Sequence, residues 1–247
     1  MTSVWRSLAL VFRETDARYG RLGRQRCRRT MSRAEVAATR RVLRRVPAAV
    51  ATWSEGNARL RPFRLQVLET PLTRLSDAGG GRYWPAPGDV ADVIADHASP
   101  GEFDSIFVLW PTDGDTPLCG WGCTLGPSAE AQGAGYSAMI NDDWRGYATR
   151  EFAEEGFVHE WLHQVESVYR TLGVGEDRLP GLHDVADRTS ARPTDVAPFG
   201  QGYVAYQAQT DTWQPWYRDL MTGTVGRKGT ERGPLGLTPD LWARRGR

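Results

Sequence analysis

The spacing of apolar positions predicts two amphipathic helices. In the first, Ser32 and Glu35 have the spacing of a capping box, in which each side chain binds a free N–H of the first turn. Apolar residues then recur at helical intervals as Val36, Val42, Leu43, Val46 and Val50. Pro47 lies inside this pattern, so we expect the helix to kink or break there. The second and longest helix is predicted over residues 148–172 and ends at Gly173.

Other segments have apolar patterns that are typical of β-strands. Residues 4–12 are mostly apolar, and residues 60–70 alternate apolar and polar side chains. Residues 103–111 contain a continuous apolar run, as in a buried central strand. A further strand is predicted at residues 135–140. The stretch 13–30 is polar and basic and predicts a loop.

Two more helices are predicted, one over residues 88–97 and one over residues 203–221 that Pro215 interrupts. This order of helices and strands predicts an α/β (α+β) fold, in which a mixed, twisted sheet packs on helices. The chain divides into three predicted parts: an N-terminal strand and basic loop (1–30), an α/β subdomain that ends in the long helix (31–172) and a C-terminal subdomain (173–247).

Composition narrows the partners that we expect for the protein. Hydrophobic residues make up 40% and charged residues 25% of the 247 residues, and the formal net charge is +1. This ordinary balance favours neither nucleic acid nor a membrane as a partner, and the basic run from Arg21 to Arg29 is interpreted as a solvated loop. No stretch approaches the ~20 apolar residues of a membrane span. The apolar run near the N-terminus is too short for a signal peptide, so we expect a cytoplasmic protein, with export left open.

The cysteines do not predict a structural framework. The chain has three cysteines, Cys27, Cys119 and Cys123, and an odd number is not typical of a disulfide framework. Cys119 and Cys123 flank a Gly-Trp-Gly tripeptide and would pair in an oxidising compartment, whereas in the cytosol both would be thiols. No paired C-x-x-C elements accompany them, so the sequence does not favour a zinc site built from cysteines.

The long predicted helix contains the pattern H-E-x-x-H. His159 and His163 are four residues apart and therefore lie one turn apart on one helix face, where both rings reach a single ion. Glu160 is offset around the helix, where its carboxylate can take a proton from a water on that ion. The chain has only four histidines, and two of them form this pair. The spacing predicts a zinc site with Glu160 as the general base.

This motif, on a long helix after an α/β segment with an apolar central strand, resembles the zincin metallopeptidases. The resemblance rests on the five residues from His159 to His163 and on the order of elements over 32–172. It implies Zn²⁺ as the cofactor and a peptide or protein as the substrate. Metzincins continue with a glycine and then a histidine, where this chain has Glu166 and Tyr169. The chain therefore departs from the metzincins, and its spacing is more similar to that of the gluzincins.

A catalytic zinc site has three protein ligands and an open position for water, so one ligand must lie outside the motif. His183 is the first choice, because three histidines are an established zinc-binding set. Asp184 and Asp187 are the carboxylate alternatives, and Glu176 is a weaker one.

Glu166 has several possible roles. It lies three residues after His163, on the same helix face as both motif histidines. Its carboxylate either accepts a hydrogen bond from a histidine ring and orients it, or acts as the third ligand, or is an ordinary polar group.

Amide hydrolysis also needs a donor near the developing oxyanion. The C-terminal candidates are Tyr203, Tyr206 and Tyr217, and no spacing rule selects one. The sequence thus predicts a zinc-dependent metallopeptidase or amide hydrolase. Two alternatives stay open: a zincin-like hydrolase of a non-peptide or biosynthetic substrate, and a non-catalytic binding protein with an inert site. The oligomeric state is not predicted.

Overall fold

The structure is a computed structural model that describes residues 2–120, 122–141, 153–183, 200–225 and 235–244. Two of the alternative ligands, Asp184 and Asp187, lie outside the described residues, as do residues 148–152 of the predicted long helix. Within the described part of the chain, no helix has the length and apolar character needed to cross a membrane.

The described residues form one five-stranded sheet, three smaller sheets and six α-helices. In chain order the strands are β1 (Ser3–Trp5), β2 (Ser7–Phe12), β3 (Glu14–Tyr19), β4 (Gln25–Thr30), β5 (Ala58–Leu60), β6 (Arg64–Leu68), β7 (Leu72–Arg74), β8 (Ser76–Asp77), β9 (Tyr83–Trp84), β10 (Ser105–Trp110), β11 (Gly122–Leu125) and β12 (Gly135–Ile140). The helices are α1 (Arg33–Trp53), α2 (Ala91–His97), α3 (Glu155–Thr171), α4 (Gly200–Thr210), α5 (Gln214–Thr222) and α6 (Pro239–Arg244).

The five-stranded sheet has the order β11-β12-β10-β2-β6, with four parallel strands and β11 antiparallel at one edge. β2 and β10 are buried over their whole length, which explains why both are almost entirely apolar. One face of the sheet packs on α1, α3, α5 and α6, and the other packs on α2 and the small sheet of β3, β4 and β7. The prediction of a mixed sheet packed on helices is therefore confirmed. Because β2 lies between β10 and β6, the N-terminal segment contributes an inner strand to the same sheet as the segments that follow.

Helix α1 begins as predicted. The Ser32 hydroxyl accepts from the Glu35 N–H at 3.2 Å, and the Glu35 carboxylate accepts from the Ser32 N–H at 2.7 Å. The helix continues through Pro47, so of the two expected outcomes, a kink or a break, the break does not occur. A proline in a helix interior costs about 3 kcal/mol, whereas burying a valine stabilises by about 1.5–3 kcal/mol. Val46 and Val50 on either side are fully buried, so packing outweighs the local penalty.

The basic stretch predicted as a loop is instead two strands. β3 and β4 pair antiparallel around a short helical turn at Arg21–Gly23. Thr15 and Ala17 point into the core, while the Arg26 guanidinium donates to the Asp16 carboxylate across the strands. The loop prediction was wrong because the many arginines concealed a period-two pattern of burial.

Helix α3 lies within the long predicted helix and begins at Glu155, after a turn at residues 153–154. Its apolar face is buried against the sheet, and Gly173, with φ of 78°, ends it as predicted. The sheet approaches closely, since a Cβ added at Gly135 would fall 2.9 Å from the Cβ of Gln164. This close packing fixes which face of α3 is turned away from the sheet.

The predicted interruption near Pro215 is a break between α4 and α5. Pro215 lies in the first turn of α5, where its missing N–H is not needed. α5 packs on α1, and Trp242 of α6 stacks on Trp161 of α3 with ring centroids 6.1 Å apart. These C-terminal helices complete the helical side of the core and bring Tyr217 next to α3.

Candidate metal centre

His159 and His163 lie on the face of α3 that lines an open cleft. They are one helical turn apart, and their Nε2 atoms are 3.2 Å from each other. On the other side of the helix, Trp161 and Val165 are fully buried in the core. The direction of both histidines therefore follows from the packing of α3.

His183 completes a cluster of three imidazoles. The chain turns back after α3, and the His183 Nε2 lies 3.1 Å from that of His163 and 3.3 Å from that of His159. The three Nε2 atoms form a nearly equilateral triangle. The structure thus brings together the three histidines that the sequence predicts as ligands, while Glu176 is not part of the cluster.

The triangle has the dimensions of a metal site. Nitrogens that bind zinc tetrahedrally at about 2.0–2.1 Å are about 3.3–3.4 Å apart, and the edges here are 3.1–3.3 Å. Burial, together with the neighbouring His163 and His183, holds the pKa of His159 well below its ordinary value. The ring is therefore neutral at pH 7, the form that binds a metal. Imidazoles suit zinc, copper, iron and nickel, so the cluster fits a metal ion without fixing its identity.

Each motif histidine has a polar neighbour at its other ring nitrogen. The Tyr217 hydroxyl lies 2.9 Å from His159 Nδ1, and Glu166 Oε2 lies 3.8 Å from His163 Nδ1. A proton on Nδ1 leaves Nε2 free for a metal. The Glu166 carboxylate only accepts hydrogen bonds, so it favours this tautomer of His163, and the Tyr217 hydroxyl is compatible with the same tautomer of His159 when it acts as an acceptor. Glu166 lies on the side of the ring away from the triangle, which supports the orienting role and not the role of third ligand.

Glu160 lies beside the cluster and lines the same cleft. The residue is only 4% exposed, and its Oε2 accepts from the Thr124 hydroxyl at 2.6 Å. Burial raises the pKa of Glu160, against the effect of the Thr124 hydrogen bond. A Cβ at Gly122 would fall 2.5 Å from Glu160 Cδ, so the absence of a side chain at this one position of β11 makes room for the carboxylate. No spacing in the sequence indicates that these β11 residues lie next to the motif.

A buried chain of hydrogen bonds holds this carboxylate. The Thr124 hydroxyl also bonds to the Ser137 hydroxyl at 2.7 Å, and the Gln164 amide donates to Ser137 at 2.6 Å. Ser137 and Gln164 are fully buried. The chain connects β11, β12 and α3 and restricts the rotamer of Glu160.

The cleft has a volume of about 1020 Å³ and two different walls. We call the first the strand wall, which consists of the exposed face of α3 and of residues 118–120, 122 and 124–126 around β11. The second is the C-terminal wall, made of residues that follow α3 in the chain. Its lining residues are His183, Gln207, Asp211, Trp213 and Tyr217.

Glu155 joins the two walls at the start of α3. Its Oε1 accepts from the Thr212 hydroxyl at 3.0 Å and from the Trp213 N–H. Burial, and after it the carboxylates of Asp211 and Glu154, raises the pKa of Glu155 to about 7, despite these two hydrogen bonds. No sequence pattern marks this residue.

The tyrosines predicted as oxyanion donors occupy different places. Tyr203 donates its hydroxyl to the Asp219 carboxylate, and Tyr206 is 41% exposed. Neither is among the described residues that line the cleft, so the structure does not bring this pair to the histidine cluster. Tyr217 alone of the three lines the cleft, where its hydroxyl contacts His159. Spacing could not select it, because its approach depends on how α5 packs.

Cys119 and Cys123 form a disulfide at the rim of the strand wall, with their Cα atoms 6.6 Å apart. Cys27 is a buried free thiol. Disulfides persist in oxidising compartments, so the compartment decides whether the rim carries the bond or two thiols.

No family model matches the chain, and no curated protein matches its sequence. The resemblance to zincins stays an expectation drawn from five residues and the order of elements. Function must therefore be inferred from the chemistry of the site, because a fold alone does not define a function.

Proposed function

We propose that the protein is a zinc-dependent amide hydrolase that acts on peptides. The observation that carries this proposal is the convergence of three Nε2 atoms, 3.1–3.3 Å apart, beside a buried glutamate in an open cleft. Three histidines leave one position of a tetrahedral zinc ion open to water, as in catalytic rather than structural sites.

His159, His163 and His183 would hold the ion, which when bound lowers the pKa of a water molecule to about 7 and polarises a carbonyl oxygen. Glu160 accepts the proton of the attacking water and passes it to the leaving nitrogen. Burial raises the pKa of Glu160 and so makes it a stronger base than a solvated glutamate. Thr124 holds Oε2, so the carboxylate keeps one orientation during the transfer.

The shape of the cleft supports an extended substrate. Its lining runs along α3 from Glu155 to Ser167, a span of about 18 Å at a rise of 1.5 Å per residue. An extended peptide rises about 3.3 Å per residue, so roughly five residues fit along the cleft. β11 forms the edge of the sheet beside it, and an edge strand can pair with a peptide backbone.

The test measures metal content and cleavage on the same preparation. The full chain is stripped of metal with a chelator, reloaded with zinc and dialysed. We expect one zinc ion per three-histidine cluster and a higher melting temperature than that of the stripped protein. A peptide library incubated with the loaded protein should then be cleaved, and the chelator should stop the cleavage.

Glu160→Gln is the matched control, because it keeps the shape of the side chain and can still accept from Thr124. The variant should retain zinc while kcat falls by about 10²–10⁴-fold. If no stoichiometric metal binds and the chelator leaves the melting curve unchanged, the hydrolase proposal is wrong. If zinc binds but no peptide is cleaved, the peptide substrate is wrong, and a hydrolase of another substrate is then favoured.

A further inference from the structure

The segment that carries His183 is held against α3 by hydrogen bonds to two side chains of that helix. Arg170 Nη1 donates to the Val174 carbonyl at 3.0 Å, and Nη2 donates to the Leu179 carbonyl at 2.6 Å. Glu166 Oε2 accepts from the Leu182 N–H at 3.3 Å, immediately before His183. Three backbone groups between the end of α3 and His183 are thus bound to two side chains.

The same two side chains are connected to the motif. Arg170 Nη2 lies 3.3 Å from Glu166 Oε1, and Glu166 Oε2 lies 3.8 Å from the His163 ring. Their side chains are only 26% and 24% exposed, so bonds between charged groups are screened less than on an open surface. A continuous set of contacts therefore runs from the His163 ring through Glu166 and Arg170 to the segment before His183.

We infer that Arg170 and Glu166 are positioning residues of the proposed zinc site, which hold His183 in place before the metal binds. The inference rests on the proposed function only in that the three histidines bind zinc. His159 and His163 are fixed by a helix, whereas His183 follows a non-helical segment, so its position depends on the bonds that this segment makes, including those to Arg170 and Glu166. A guanidinium suits this task because its forked donors reach two carbonyls and a carboxylate at once.

Outside the cleft, Arg6 offers a matched control. It donates to the Asp104 carboxylate at 3.3 Å and to the Gly101 carbonyl at 3.0 Å, so it makes the same two kinds of bond. Arg6→Met therefore removes a comparable set of contacts, and neither Arg6 nor its partners line the cleft.

The experiment compares the wild type with Arg170→Met, Glu166→Gln and Arg6→Met by zinc competition against a chromophoric chelator. The titration is run well below the melting temperature of every variant. Loss of groups that orient metal ligands typically weakens metal affinity by about 10–100-fold, and we expect this loss for Arg170→Met and Glu166→Gln only. Hydrogen exchange in the metal-free proteins should also become faster at the Leu182 amide in these two variants.

Equal zinc affinity in all four folded proteins overturns the inference and leaves the hydrolase proposal intact. If Arg170→Met does not fold, Glu166→Gln decides, because it keeps both bonds from Arg170 to the carbonyls; wild-type affinity in that variant overturns the inference. Tight zinc binding without any cleavage contradicts the proposed function but not the positioning role. A wild type that binds no zinc overturns both.

Discussion

The strand wall and the C-terminal wall of the cleft are built in different ways. On the strand wall, His159, Glu160 and His163 lie within five residues of one helix, and β11 contacts Glu160 through Thr124 and Gly122. On the C-terminal wall, the lining residues come from a turn, from α4, from the α4–α5 connection and from α5. One wall is therefore set mainly by helix geometry, and the other by contacts between distant segments.

This difference determines what each wall needs in order to function. The hydrogen bonds of α3 keep His159 and His163 one turn apart whatever the surroundings. The C-terminal wall depends on individual bonds to α3 and its neighbours, such as those of Glu155 to the Trp213 N–H and of the Trp216 Nε1–H to the Leu182 carbonyl. Its lining residues are placed only when those bonds form. Substitutions on the two walls should therefore impair different properties of the protein, namely metal binding on the C-terminal wall and catalysis at Glu160 on the strand wall.

The largest expected effect tests whether the C-terminal wall is essential for metal binding. His183→Ala removes one of three ligands, so zinc affinity should fall by more than the about 10–100-fold typical of orienting groups. The measurement is competition with a chelator. Glu176→Ala, in the same segment and exposed, should bind zinc like the wild type. The opposite ranking of the two variants would show that the third ligand has been assigned to the wrong residue.

The next effect concerns the strand wall, where the failure should be in catalysis and not in metal binding. Gly122→Ala would place a Cβ 2.5 Å from Glu160 Cδ and force the carboxylate to move. A displacement of about 1 Å can cost about 10²-fold in rate, so kcat should fall by that order while zinc stays bound. Gly88→Ala is the control, because nothing lies within 4 Å of its added Cβ. Unchanged kcat in Gly122→Ala would mean that Glu160 does not act from this position.

A smaller effect is expected at the contact between the walls. Tyr217→Phe removes the hydroxyl 2.9 Å from His159 Nδ1 and keeps the ring that stacks on Trp53. Zinc affinity should fall by about tenfold, which is the lower end of the range that is typical when a group that orients a metal ligand is lost. Tyr136→Phe, which removes a buried hydroxyl bonded to the Pro85 carbonyl, should lower thermal stability without changing zinc affinity. Equal zinc affinities in both variants would argue against an orienting role for Tyr217.

The last effect leaves the metal cluster unchanged and concerns the pH dependence of stability. The pKa of Glu155 is about 7 in the folded protein against 4.5 ordinarily, so the folded state binds this proton more tightly than the unfolded state. The contribution of Glu155 to the free energy of unfolding is complete below pH 4.5. It is lost as the pH rises through 7, a change of about 1–3 kcal/mol. Glu155→Gln keeps an acceptor for the Thr212 hydroxyl and the Trp213 N–H. Its melting temperature should exceed that of the wild type at pH 8, and the gap should narrow towards pH 5. A gap that does not change with pH would contradict the prediction.

Most helices and the longer strands follow from the sequence, because their apolar patterns are local. The cap at Ser32, the buried strand β10 and the end of α3 at Gly173 are all found where the pattern indicates them. The errors have a common cause. β3 and β4 pair with each other, but their inward side chains are buried against elements far along the chain, and α1 continues through Pro47 where its apolar face is packed. In both cases packing overrode the local composition.

The motif spacing by itself determined that His159 and His163 share a helix face with Glu160 offset beside them, since 3.6 residues complete a helical turn. Only the tertiary structure decided that His183 completes the triangle, that Tyr217 faces His159, and that Tyr203 and Tyr206 do not line the cleft. The physical reason is distance along the chain. A turn of helix fixes residues four apart through its own hydrogen bonds, whereas residues 20 and 58 positions apart meet only when separate elements pack together.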